Sequence, residues 1–70
     1  MERYRVKFPT AEAYRRGLGI AEARVPVLIA SEKRHVLSIG ELPPDLEADL
    51  RSLGASVTQE TRYELEVVGG

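Results

Sequence analysis

Glu2-Arg-Tyr-Arg-Val-Lys-Phe8-Pro9-Thr10-Ala-Glu-Ala-Tyr14 changes its period halfway along. Tyr4, Val6 and Phe8 fall on one side of an extended chain and Arg3, Arg5 and Lys7 on the other, a period of two that predicts a half-buried strand over residues 2–8. Pro9 ends it. Thr10 is a good helix N-cap, and behind it Ala11, Tyr14, Leu18 and Ala21 recur at helical spacing. Arg15 and Arg16 are expected late in this helix, where cations suit the carbonyl end of the dipole. Gly17 and Gly19 each cost about 1 kcal/mol relative to Ala inside a helix, so the helix is expected to be short or frayed at its C-terminal end.

Downstream, Val25-Pro-Val-Leu-Ile-Ala30 is a compact apolar run rich in β-branched side chains. Pro26 lacks an N–H, which places the run at a sheet edge. Ser31 to Arg34 is a short polar connection and His35 to Ile39 resumes the apolar pattern, so the two runs form a hairpin. Both parities of that hairpin are apolar, and the pattern leaves open which face is buried. Leu42-Pro-Pro44 leads into a second helix, with Pro44 in its first turn and Asp45, Glu47 and Asp49 toward its N-terminal half. Leu46, Leu50 and Leu53 share one face, and Gly54 supplies the stop. In the last segment Val57, Tyr63, Leu65 and Val67 share one parity and Arg62, Glu64 and Glu66 the other. Gln59 and Thr61 interrupt the apolar row, marking a bend or bulge.

Strand, helix, strand, strand, helix, strand is the split β-α-β order of an α+β ferredoxin-like fold: a two-layer sandwich with a four-stranded antiparallel sheet and two helices on one face. Seventy residues make one such domain, residues 1–70. Parity predicts a core of Tyr4, Val6, Phe8, Val57, Tyr63, Leu65 and Val67, closed by Leu46, Leu50, Leu53, Tyr14 and Leu18. With the first and last strands as neighbours, Arg3, Arg5 and Lys7 would meet Glu64 and Glu66 on the open sheet face. Such cross-strand charge pairs contribute about 0.2–1 kcal/mol each, less when fully solvated.

Composition narrows the chemistry. Ten Lys and Arg against eleven Asp and Glu leave a net charge of -1, which argues against a dedicated nucleic-acid binder. With no cysteine there is no disulfide, thiolate metal site or thiol nucleophile, and a single His makes no multi-histidine metal site. His35 is available as a general base or pH sensor, but a strand start beside Arg34 is an ordinary place for it. The serines show no triad-like spacing with His and a carboxylate. Asp45, Glu47 and Asp49 read as dipole complementation rather than a metal site, since only the outer two share a helix face. Arg15, Arg16 and Arg24 together offer an anion site, although arginines at a helix end more often serve as caps. Gly17-Leu18-Gly19 follows a helix and lacks the third glycine of a phosphate loop. Outward aromatics of the RNA-recognition type are missing from strand one, and no Asn is present to place a water as in acylphosphatases. No enzyme, cofactor or metal is expected. The N-terminus has no apolar segment and no run is long enough to span a membrane, so the expected compartment is the cytoplasm.

The stretch from His35-Val-Leu-Ser-Ile-Gly-Glu-Leu-Pro-Pro44 through Asp45-Leu-Glu-Ala-Asp-Leu-Arg-Ser-Leu-Gly-Ala-Ser-Val57, with Tyr4-Arg-Val-Lys-Phe8, resembles subtilisin-propeptide-type inhibitor domains over about half the chain. The resemblance implies a ferredoxin-like fold that binds a serine protease by its open sheet face, with Val67 to Gly70 in the cleft. Val67-Val-Gly-Gly70 is also similar to the diglycine tails of ubiquitin-like sulfur carriers, which would imply adenylation and a thiocarboxylate. Those carriers, however, begin with a hairpin. The leading expectation is a non-enzymatic protein-binding module whose partner is another protein or a second copy of this chain. Its candidate contact residues are Arg3, Arg5, Lys7, Arg62, Glu64, Glu66, Gly69 and Gly70, along with the edge from Val25 to Ala30.

Overall fold

The alternating N-terminal segment forms strand β1, Glu2–Lys7, in a computed structural model that describes residues 2–61. Helix α1 follows at Ala11–Glu22, capped by Thr10, whose Oγ1 accepts the Ala13 N–H at 3.1 Å. Strands β2, Val27–Ser31, and β3, Val36–Ile39, form the hairpin. Helix α2, Pro44–Ser52, opens on its proline and ends where Gly54, at φ +88, donates its N–H to the Arg51 carbonyl. A Cβ on Gly54 would also lie 3.1 Å from Pro9 Cγ, so both its backbone and its space call for glycine. Strand β4 is Ser56–Thr61.

All neighbours in the sheet are antiparallel, in the order β2-β3-β1-β4, and with the βαββαβ chain order this is the expected α+β ferredoxin-like fold. Val6 pairs with Leu37 and Val57, and Tyr4 with Ile39 and Gln59. These residues form the row facing the helices. Val6, Phe8, Leu37, Ile39, Leu46 and Leu50 are essentially sealed from water. Phe8 and Tyr14 meet edge to face with centroids 6.0 Å apart.

Several details differ from the sequence expectations. Helix α1 is not short: it runs straight through both glycines to Glu22. Gly17 faces the core, and a Cβ there would fall 2.3 Å from Phe8 Cε2 and Cζ. The missing side chain lets α1 settle onto the Phe8 ring, and tertiary packing overrides the propensity loss. Arg15 and Arg16 consequently lie mid-helix, and the last turn carries no basic residue. The buried stripe of α1 is Ala13, Tyr14, Gly17 and Ala21, while Leu18 is only partly buried, as are Leu53, Tyr4 and Val57. Val25, Leu37, Ile39 and Ala55 complete the core in their stead. Tyr63, Leu65 and Val67 lie outside the described residues.

No bulge interrupts β4, whose register with β1 runs unbroken from Lys7↔Ser56 to Glu2↔Thr61. The irregularity sits in β2. Val27 pairs with Ile39 and Ile29 with the adjacent Ser38, so Leu28 is the inserted residue. In a regular strand Val27 and Ile29 would share a face. The bulge puts Val27 on the helix-side row and turns Ile29 onto the open face. Pro26 precedes the strand, and β2 is an edge, as its proline suggested.

Candidate functional site

The open face is built from the β1 residues of opposite parity to Val6. Arg3, Arg5 and Lys7 stand there in a row, and the places opposite them on β4 are taken by Glu60, Thr58 and Ser56. Glu64 and Glu66, expected in those places, lie outside the described residues with Arg62, Gly69 and Gly70. The carboxylate that meets this row is Glu60, its Oε1 3.5 Å from Arg3 Nε and its Oε2 4.0 Å from Arg5 Nη1. One carboxylate therefore serves two guanidinium groups, and Arg3 Nε is buried with no hydrogen-bond partner.

At the far end of β1 the hairpin turn adds more positive charge. Pairing of Lys7 with Val36 brings residues 33–35 beside the C-terminal end of β1. Arg5, Lys7, Lys33, Arg34 and His35 line a depression of about 600 Å³ together with Phe8, Pro9 and Val36. A second hollow of about 280 Å³ adjoins it, sharing Arg5, Arg34 and Val36 and reaching Ile29 on the β2 edge. Across both hollows five cations, Arg3, Arg5, Lys7, Lys33 and Arg34, face one carboxylate of the described residues, Glu60.

The helix layer is neutralised by contrast. Arg16 pairs with Glu12, Arg51 with Glu47, and Arg24 bridges Asp45 and Asp49 at 3.2 and 2.9 Å. Arg15 reaches Glu32 at 3.5 Å. The three arginines considered as an anion site are thus each occupied by a carboxylate and are not gathered together. No group of three His, Cys, Asp or Glu side chains is placed to hold a metal among the described residues. No helix of the described residues is long and apolar enough to cross a membrane.

His35 is not the first residue of β3 but the last of the turn, with φ 58. Its N–H donates to the Glu32 carbonyl at 3.3 Å, its carbonyl accepts the Phe8 N–H at 2.8 Å, and its ring leans on Tyr14 at 6.4 Å. At the edge, Leu28 and Ile29 are 49% and 53% exposed and are the large apolar side chains left in solvent among the described residues.

The structure therefore brings Arg3, Arg5 and Lys7 together as expected, and adds Lys33, Arg34 and Glu60, which sequence reasoning did not select. The signal for the hairpin cations was available only through register: a turn preceding a strand that pairs with β1 must lie against the end of β1. Compared with family models, with curated proteins and with solved structures, the chain finds no match in any of the three.

Proposed function

We propose that the chain is a small non-enzymatic module that binds another protein through its open sheet face and the β2 edge. The observation that carries this reading is the Leu28 bulge. It turns Ile29 out of the core on β2, a sheet edge among the described residues, beside a band of cations. An apolar edge without charged residues or proline within it is a site where an extended segment of a partner can add as a further strand. A second copy of the chain would meet the same edge by two-fold symmetry.

Capture from host lysate tests it, using the full chain, a chain ending at Val68, and the variants Ile29→Lys and Arg5→Glu. A partner kept by the shortened chain and lost by both variants supports the surface. A partner lost only with the last two residues refutes it in favour of a tail-dependent role. Light scattering across a concentration series reads self-association, which Ile29→Lys should abolish.

A propeptide-type protease inhibitor is the second reading, favoured by the βαββαβ order and by the open face that the resemblance implicates. Nanomolar inhibition of a subtilisin-like protease, lost on deleting Val67 to Gly70, would establish it. The sulfur-carrier reading has less support, because a helix and not a hairpin follows β1. It predicts a C-terminal thiocarboxylate in material from the native host, visible in the intact mass.

A further inference from the structure

The hairpin end of the open face gathers Arg5, Lys7, Lys33 and Arg34 around one depression. Lys33 and Arg34 belong to a turn fixed from several sides: the Arg34 N–H donates to Ser31 Oγ at 3.4 Å, and the His35 carbonyl is tied to the Phe8 N–H. The one carboxylate of that turn, Glu32, is drawn off toward α1 by Arg15. It does not line the depression, and neither does any other carboxylate of the described residues. Lys7, Lys33 and Arg34 form no ion pair with any of the described residues, and Arg5 has only its 4.0 Å approach to Glu60. Cations gathered in a concavity repel one another and focus a positive potential there. His35 holds the turn in a left-handed conformation that L-residues disfavour, a strain of the kind that concentrates at ligand sites.

The lining also selects among anions. Phe8 is only 2% exposed, so its ring offers no face for a nucleobase to stack on. Two guanidinium and two ammonium groups in one hollow exceed what a single carboxylate needs. They suit the several oxygens and multiple charge of phosphate, which Arg can engage in bidentate fashion.

We propose that Arg5, Lys7, Lys33 and Arg34 bind a multiply charged phosphate group, either of a free small molecule or of a phosphorylated side chain. This does not rest on the protein-binding reading, because a free phosphate needs no partner protein.

The test is titration of the ¹⁵N-labelled full chain with inorganic pyrophosphate at constant ionic strength, and in parallel with a phosphoserine peptide and its unphosphorylated form. Saturable shifts of the amides of Lys7, Phe8 and Lys33 to Val36 are expected. Replacing Lys33 and Arg34 together by Gln should weaken binding by at least about tenfold, since it removes two of the four cations that would engage the phosphate. Core resonances of that variant should stay in place, separating lost binding from lost folding. Tighter binding of pyrophosphate assigns a free ligand, and tighter binding of the phosphopeptide assigns a modified partner. Shifts that grow linearly and are matched by chloride overturn the proposal, as does binding unchanged by the double substitution. A single-stranded oligonucleotide that binds more tightly, and depends on Arg3 as much as on Lys33 and Arg34, also overturns it, because the face would then be a backbone track.

Discussion

Gly17 and Gly19 lie two residues apart in α1, yet alanine should act on them with opposite signs. In each case the helix gains about 1 kcal/mol of intrinsic propensity. At Gly19 a Cβ meets nothing within 4 Å, so the gain stands alone. Gly19→Ala should stabilise by about 1 kcal/mol and raise the melting temperature by about 4–8 °C in a domain of this size. At Gly17 the added carbon would lie 2.3 Å from two Phe8 ring atoms and 3.4 Å from Leu50 Cδ2. Carbon atoms rest about 3.5–4.0 Å apart, so the overlap with the ring exceeds about 1 Å. The ring cannot swing aside, because Phe8 and Leu50 are both sealed in the core and Tyr14 stands against the ring edge. Overpacking of this kind costs about 1–3 kcal/mol and occasionally more. With two ring atoms at 2.3 Å the clash belongs at the upper end of that range, so after the propensity gain Gly17→Ala should destabilise by about 2 kcal/mol. Urea titration followed by far-UV circular dichroism reads both effects as midpoint shifts at an unchanged slope. A double-mutant cycle with Phe8→Leu sharpens the test, since a smaller side chain makes room for the new methyl and should give a coupling of about 1 kcal/mol or more. A Gly17→Ala protein as stable as the parent, or additive effects in the cycle, would refute the account of why this helix carries a buried glycine.

Other expectations are read from the same core and turn. Leu50→Ala, at a fully buried position of α2, should cost about 2–5 kcal/mol by the urea midpoint, a large share of the total for a domain of this length. Burial, and then the carboxylates of Glu32 and Glu22, push the Tyr14 phenol above its ordinary 10.0. The folded protein therefore favours the neutral form: the contribution is whole below pH 10 and is lost as pH rises beyond it, because the unfolded chain ionises first. Tyr14→Phe should remove that alkaline loss, and a stability difference from the parent that stays constant across the alkaline range would contradict it. His35→Val should cost about 1–2 kcal/mol more than His35→Gly in thermal unfolding, since a β-branched residue resists a left-handed backbone. Equal melting temperatures would show that the turn relaxes.

The element order was legible because period two gives way to helical spacing at Pro9 and Thr10, and because Pro26, Pro44 and Gly54 punctuate the chain where their chemistry allows. The extent of α1 was not, because the value of a glycine at position 17 depends on where the Phe8 ring comes to rest. Nor was the partner of β1 along the last segment. Residues 56–61 and 62–67 both have strand-like composition, and the choice falls to the pairing of Val6 with Val57. Arg3, Arg5 and Lys7 could be selected by parity alone. Lys33 and Arg34 could not, since their nearness to Lys7 is a property of register between strands far apart in the chain. The exposure of Ile29 follows from a single inserted residue, which no alternation pattern reveals when both parities are apolar.

The central position of β1 bears on how the chain folds. This strand is made first, yet both of its neighbours, β3 and β4, come later, and its pairs Val6↔Leu37 and Val6↔Val57 span long stretches. The hairpin of β2 and β3 and the two helices can form from nearby residues, but β1 has nothing local to pair with. Closing the longer loop to β4 costs only about 0.4 kcal/mol more than closing the loop to β3, so loop length barely orders the two events. What orders them is that β3 is presented by a preformed hairpin, whereas β4 has no hairpin partner among the described residues. Docking of β1 onto that hairpin is then the slow, non-local step, and β4 closes the sheet along the completed edge of β1. On a ribosome the first strand waits, with Tyr4, Val6 and Phe8 unburied, until Ile39 has emerged.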